Sequence, residues 1–321
     1  MDMYKKRKKR QEMKSNENKD EMQKQMNINW YPGHMVKTIR QIEADLKLVD
    51  IVIEILDARI PMSSQNPYVR EIIKNKKKII ILNKCDLAEE QENNKWVKYF
   101  ANNNSTAILC NSNNGEGVRG LTTAMDKIMK DEKEKALEKG RSGKIIRGMI
   151  IGIPNVGKSS FINRISNKTS TQVGNKPGVT KQKQWIRLSN NIELLDTPGV
   201  LWPKFENEQI ALNLAYTGTI KSEILEETEV AYQLTKFLVE NYQTNIIEKY
   251  KLNSEEIKEI LNNEELMQNE RIVEVMNLIG KNRGAIIRGG QIDLEKTSRI
   301  ILDDFKNGKL GRITIEKVGK K

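Results

Sequence analysis

Residues 145–159 (IIRGMIIGIPNVGKS) combine an apolar run, a glycine-bounded turn, Lys158 and Ser159. Segment 152–159 fits the pattern G-x-x-x-x-G-K-S/T at every position, and the run before it predicts a strand over 145–151. Glycines let successive N–H groups face phosphate oxygens, and a helix from Lys158 would add its positive end. The stretch therefore predicts a P-loop. We assign phosphate contacts to Asn155, Val156, Gly157, Lys158, Ser159, Ser160 and, from a later motif, Gly199.

Apolar runs on both sides of this stretch alternate with helical patterns. Strands are predicted over 51–56, 78–82, 106–110, 184–188 and 192–195, and helices over 35–50, 89–101, 117–139 and 158–166. Such alternation predicts an α/β fold, a mostly parallel sheet with helices on both faces. Ligands of such sheets bind at the carboxyl ends of the strands, and each motif below begins there.

The pattern changes after residue 206, where helical periodicity runs to about 306 and is interrupted by the glycine-containing segment 283–290. We therefore predict three parts. They are a disordered basic arm over 1–27, a nucleotide-binding domain over 28–205, and an all-helical domain over 206–321 for which RNA binding is expected.

A guanine-binding site is predicted from residues 83–86 (NKCD), which follow the second strand. The Asp86 carboxylate can accept both N1–H and N2–H of guanine, whereas adenine offers no such donor pair. Asn83 can bond the other edge of the base, and the Lys84 stem can cover its face. Residues 110–117 (CNSNNGEG) can offer backbone N–H groups to guanine O6. The candidate guanine-binding residues are Asn83, Lys84, Cys85, Asp86, Asn111 and Ser112; a helix cap at Asp86 and a plain polar turn at 110–117 are the alternative interpretations.

Two further segments match the switches of GTPases. Residues 196–199 (DTPG) fit D-x-x-G, where Asp196 would hold Mg²⁺ through water and the Gly199 N–H would meet the γ-phosphate. Residues 177–180 (PGVT) supply Thr180, which would close on Mg²⁺ together with Ser159. Both segments are expected to be ordered with GTP and to loosen with GDP, and a plain turn is the alternative.

The order of the motifs is reversed relative to most GTPases, because N-K-C-D at 83 precedes the P-loop at 152. Residues 117–144 would bridge the original ends, and D-x-x-G would stand directly before the helical domain, where nucleotide state could act on it. This arrangement resembles the circularly permuted GTPases over roughly residues 28–315. The likeness rests on residues 30–35 (WYPGHM), 57–64 (DARIPMSS), 195–203 (LDTPGVLWP), Gly290, Asp293 and 311–314 (GRIT), besides the motifs above.

The resemblance implies a GTPase that binds the immature large ribosomal subunit, its rRNA and proteins, and promotes late assembly, with the helical domain on the rRNA. Val200 follows D-x-x-G where many small GTPases carry a water-orienting glutamine, so turnover by the protein alone should be slow. The family implies catalysis by His34, and Asn155 stands where potassium-activated GTPases hold K⁺. The candidate catalytic residues are His34, Asn155, Lys158, Thr180 and Gly199, with GTP or GDP, Mg²⁺ and K⁺ as cofactors.

The amino-acid composition agrees with a nucleic-acid partner and argues against a membrane protein. Lys and Arg exceed the acids by 55 to 43, a net charge of +12, which favours a polyanion such as RNA. The sequence contains no run of 18 apolar residues, so no membrane span is predicted. Its two cysteines lie far from the single histidine and predict neither a metal site nor a disulfide framework. We expect a cytoplasmic, ribosome-associated monomer without membrane or DNA partners. A GTPase of the small subunit or another RNA, an RNA-binding scaffold with incidental turnover, and an ATPase are the alternatives, and Asp86 argues against the last.

Overall fold

The computed structural model describes residues 33–140, 144–166, 185–189, 191–202, 205, 207–220 and 226–319. Within these residues six strands form one sheet, in the order β3-β2-β1-β4-β6-β5. The strands are Ile51–Asp57 (β1), Lys77–Asn83 (β2), Thr106–Cys110 (β3), Ile146–Gly152 (β4), Trp185–Ser189 (β5) and Ile192–Asp196 (β6). All neighbours are parallel except β5 and β6. The predicted mostly parallel sheet is confirmed.

The register of the parallel strands brings the predicted motifs to one edge of the sheet. Asp57 lies opposite Asn83, and Asn83 lies opposite Cys110. Gly152, the first residue of the P-loop, lies opposite Ile55, two residues before the end of β1. Because these residues all stand at or near the carboxyl ends of their strands, motifs far apart in the chain share one site.

Helices cover both faces of the sheet, as predicted. They are Gly33–Asp45 (α1), Pro67–Ile72 (α2), Glu90–Asn102 (α3), Gly120–Ile128 (α4), Lys130–Glu138 (α5) and Lys158–Ser166 (α6). Ile53 and Ile55 of β1 pack in a core with residues of α1, α4 and α6, whereas Leu56 belongs to a separate cluster with Trp96 of α3. Ile55 and Leu56 follow each other in β1 and belong to different clusters, as the alternation of side chains along a strand predicts.

The helical stretch predicted over 117–139 is two helices rather than one. Residues 117–119 form a turn, and the chain breaks again at Met129, where φ is −98° and ψ is 10°. Met129 is buried, whereas α5 has no buried residue. The break lets Met129 stay in the core while the following helix leaves the sheet surface, a change that a continuous helical pattern does not show.

Residues after 206 form six further helices within the described part of the chain, with their own apolar core. They are Glu208–Tyr216 (α7), Glu227–Asn241 (α8), Gln243–Tyr250 (α9), Ser254–Asn262 (α10), Gln268–Asn282 (α11) and Leu294–Lys306 (α12). Asp293 caps α12 by accepting the Lys296 N–H at 2.9 Å. Helices α11 and α12 approach closely at Gly280, where a Cβ atom would stand 2.4 Å from the Thr297 hydroxyl oxygen. No helix within the described ranges is long and apolar enough to cross a bilayer.

The segment after α12 returns to the sheet domain and connects it to the helical part of the chain through hydrogen bonds. Glu316 is central, because its carboxylate accepts the Met62 N–H at 2.6 Å and the Ser63 N–H at 3.0 Å, and the Asn213 amide of α7 at 3.2 Å. The indole N–H of Trp96 donates to the Glu316 carbonyl at 2.9 Å. The proposed domain boundary near residue 206 is therefore crossed again by the end of the chain.

Candidate nucleotide-binding site

The P-loop connects β4 to α6 and has the backbone that an anion cradle needs. Asn155 and Gly157 both have left-handed backbones, with φ of 63° and 89°. Asparagine tolerates this region better than most residues, and glycine adopts it freely. A Cβ atom at position 157 would stand 2.3 Å from the Asn83 amide nitrogen, so only glycine fits there. Helix α6 begins at Lys158, as predicted, so its N-terminus faces the loop.

The D-x-x-G segment lies against the P-loop. Lys158 Nζ is 2.5 Å from Asp196 Oδ1, and Gly199 is so close that an added Cβ atom would stand 3.1 Å from the Pro154 nitrogen. Thr197 fixes the segment by donating its hydroxyl to the Ile150 carbonyl at 2.7 Å. The exposed Ser159 hydroxyl follows Lys158 directly. A hydroxyl and a carboxylate beside a phosphate cradle form a donor set that suits Mg²⁺.

Asn83 joins three of the motifs. Its amide nitrogen donates to the Val156 carbonyl of the P-loop at 2.7 Å. Its amide oxygen accepts the backbone N–H of Ser112 at 3.1 Å and the Ser112 hydroxyl at 2.7 Å. The side chain is almost fully buried. These bonds give Asn83 a part in aligning the loops, which the sequence alone did not indicate.

Lys84 crosses from the guanine motif to the P-loop. Its φ of 58° places it in the left-handed region, and its ammonium donates to Asp57 Oδ2 at 2.9 Å and to the Asn155 carbonyl at 2.7 Å. Asp57 also binds the buried Arg59 through two bonds of 3.0 and 2.8 Å. Burial alone would raise the pKa of Asp57, but Arg59 and Lys84 outweigh it and hold that pKa well below its usual range.

These loops enclose a cleft of about 420 Å³. It is lined by Asn83, Lys84, Asp86, Leu87, Asn111, Ser112, Asn113, Asn155, Gly157, Ser160, Thr217, Lys306 and Asn307. A groove of about 440 Å³ near Tyr68 and Trp202 holds none of the predicted site residues. The polar lining, with an acid at one end and the P-loop at the other, fits a guanine nucleotide.

Some predicted residues do not line this cleft, and others lie outside the described part of the chain. The Cys85 side chain packs among apolar residues, where burial raises its thiol pKa to about 11, so only its backbone is available to a base. His34 belongs to the first turn of α1, and its side chain lies outside the described part of the structure. Thr180 and the arm over 1–27 also lie outside the described residues.

Thr217, Lys306 and Asn307 are among the cleft residues that the sequence did not single out, and the role of Arg59 was not indicated either. The first three come from the helical part of the chain, where no motif marks them. Arg59 stands in a quoted segment, 57–64, but its contact with the Phe305 carbonyl spans 246 residues. Such long-range contacts leave no trace in local spacing.

Comparison with known proteins gives the same picture. Residues 147–278 match the family model described as 50S ribosome-binding GTPase, which covers the P-loop and D-x-x-G but not N-K-C-D, as a reversed motif order requires. The chain is 43% identical to ribosome biogenesis GTPase A of Bacillus cereus over 291 residues, covering 91% of this chain and 94% of that one. It is 31% identical to the Thermotoga maritima protein of the same name, over 90% of this chain and 94% of that one. A solved GDP-bound structure of YlqF superposes with a TM-score of 0.61 at 26% identity, over 88% of this chain and 100% of that one.

Proposed function

The chain belongs to the ribosome biogenesis GTPase A family of circularly permuted GTPases, and on that premise we propose that it is a switch that binds the maturing large ribosomal subunit and promotes its late assembly. The chain is a GTPase of ribosome biogenesis, and its family uses GTP or GDP with Mg²⁺. The choice of the large subunit is supported by the family model, whose description names the 50S particle.

One observation supports the nucleotide site above all: Asn83 bonds both the P-loop and the loop of Ser112. Those bonds support a pocket in which Asp86 would face the base and the P-loop would face the phosphates. We assign Asp86, Lys84 and the 111–112 loop to guanine, and Lys158 with residues 155–160 to the phosphates. Ser159, Asp196 and Thr180 are the proposed holders of Mg²⁺, which would neutralise charge developing on the phosphates.

Hydrolysis by this site needs help from outside the D-x-x-G segment. Val200 is buried in the core and cannot bond water. We assign a K⁺ site to Asn155, whose amide nitrogen donates to the Gly218 carbonyl at 2.5 Å and so leaves its oxygen for a cation. His34 is the proposed catalytic group that ribosome docking brings to the attacking water.

The helical part is the proposed rRNA-binding unit. The turn between α11 and α12 exposes Ile286 and Ile287 beside Arg288. Apolar and cationic groups together suit unpaired bases and their phosphates. We expect the protein to work in the cytoplasm, on the ribosomal particle, as a monomer.

The test is GTP turnover in K⁺ buffer with purified large subunits, with small subunits as the control. Stimulation by large subunits alone supports the proposal. Equal stimulation by small subunits would favour the alternative of a small-subunit or general RNA GTPase. No stimulation by either particle, with binding intact, would favour an RNA-binding scaffold whose turnover is incidental.

A further inference from the structure

The last turn of α12 reaches the nucleotide cleft from the helical part of the chain. Lys306, the final residue of that helix, and Asn307 both line the cleft beside the guanine and phosphate motifs. The motif residues of the cleft all come from the sheet domain, so this helix end, together with Thr217, supplies a wall that the GTPase motifs alone do not provide.

The helix end is held firmly in this position. The buried guanidinium of Arg59 donates to the carbonyls of Phe305 at 3.2 Å and Lys306 at 3.4 Å. The carbonyls at a helix C-terminus carry partial negative charge, which would repel a phosphate, and the Arg59 hydrogen bonds occupy two of these carbonyls. Gly308 packs so tightly on Leu87, the residue after Asp86, that an added Cβ atom would stand 2.4 Å from its Cδ2.

The Lys306 side chain runs over Gly218 towards the P-loop. A Cβ atom at Gly218 would stand 2.6 Å from Lys306 Cε and 3.0 Å from its Nζ. The carbonyl of the same Gly218 accepts the Asn155 amide of the P-loop. Among the described residues, the Lys306 ammonium makes no ion pair or hydrogen bond, and the residue is exposed. A free cation therefore stands beside the anion cradle.

We propose that Lys306 binds the nucleotide, with its ammonium on the phosphates of GDP or GTP. The inference rests on the nucleotide pocket and is independent of which ribosomal particle the protein binds. Lysine phosphate contacts are charge-assisted hydrogen bonds, so their strength depends on the phosphates and not on the base. A lysine that only favours the end of its helix would have no such dependence.

The experiment is calorimetric titration of the full-length protein with GDP, GMP and guanosine at low ionic strength. Lys306→Gln should weaken GDP binding about tenfold and leave guanosine binding within about twofold, because only the phosphate contact is lost. Lys306→Arg should retain most of the GDP affinity. Lys296→Gln is the matched control, since Lys296 is an exposed lysine at the other end of α12 and should not affect the nucleotide.

Three results would overturn the proposal. GDP affinity unchanged in Lys306→Gln would show that the ammonium makes no contact. Equal losses for GDP and guanosine would show that the side chain only shapes the pocket. An equal loss in Lys296→Gln would reduce the effect to net charge. Each nucleotide-free variant should unfold at the same temperature as the wild type, which shows that the fold is intact. Failure of the wild type to bind GDP would instead contradict the nucleotide site on which this inference rests.

Discussion

Asp86 is the residue on which the choice of base depends. Xanthine carries a carbonyl at C2 where guanine carries an amino group, so an asparagine can accept N1–H and donate to that carbonyl. We expect the Asp86→Asn substitution to weaken GDP binding about 100-fold, and we expect the variant to bind xanthosine diphosphate instead. Competition of both nucleotides against a fluorescent probe measures the change. Asp131→Asn, on the exposed start of α5, is the control, and equal loss of both nucleotides in Asp86→Asn would contradict the assignment.

Asn155 is the residue that tests the cation. If its amide oxygen holds K⁺ near the phosphates, turnover should be about tenfold or more faster in KCl than in NaCl, and Asn155→Ala should abolish the difference. Steady-state phosphate release in the two salts is the measurement. Identical rates in both salts for the wild type would exclude a potassium role.

Glu54 is a buried acid that the nucleotide site does not use. Burial raises its pKa from 4.5 to about 7, against the opposing charges of Lys78 and Arg70, and within the described chain its Oε2 has no hydrogen-bond partner. The folded state therefore holds a proton that the unfolded state releases, so stability should fall as pH rises from about 4.5 to about 7. Glu54→Gln should flatten that slope and stabilise the protein at pH 8 by up to about 3 kcal/mol.

Urea unfolding at pH 5 and pH 8 measures the effect of Glu54→Gln. Glu264→Gln, in an exposed position before α11, serves as its control. A variant with the same pH dependence as the wild type would show that Glu54 is not the group responsible.

At the scale of elements, the segment after α12 holds the helical part of the chain against the sheet domain through Glu316. Burial raises the pKa of this carboxyl, although its hydrogen bonds to Ser63, Met62 and Asn213 oppose the shift. Glu316→Ala leaves those donors unsatisfied, so we expect a loss of about 2–4 kcal/mol in the free energy of unfolding. Urea denaturation is the measurement, with Glu264→Ala as control. A loss below 0.5 kcal/mol, roughly the size of an ordinary surface change, would contradict the role.

The elements of the sheet were predictable for a physical reason. The buried strands are mainly apolar runs with few interruptions, such as Glu54 in β1 and Arg147 in β4, and most end at a polar or glycine residue, as β2 does at Asn83. The break at Met129 was not predictable, because both flanking helices share one helical pattern. The contacts of Glu316 and the position of Lys306 were not predictable either, because their partners are distant in sequence and only three-dimensional packing brings them together.

At the scale of the molecule, the net charge of +12 and the exposed turn before α12 both bear on the proposed binding of RNA. Arg288→Glu should weaken large-subunit binding several-fold and reduce its salt dependence, because a phosphate contact releases counterions. GDP affinity should not change. Sedimentation with purified large subunits at several salt concentrations measures this, with Lys130→Glu of α5 as the matched control. Unaltered binding would place the RNA contact elsewhere.

Helix α12 has 13 residues and is about 20 Å long, and it runs from the proposed RNA-binding turn to the nucleotide cleft. Thermodynamic linkage makes any influence along it reciprocal. If GTP tightens the grip on the ribosomal particle by some factor, the particle must tighten the grip on GTP by the same factor. An immature particle would then act as an effector that loads its own assembly factor, and a mature particle that no longer fits the turn would let the nucleotide go.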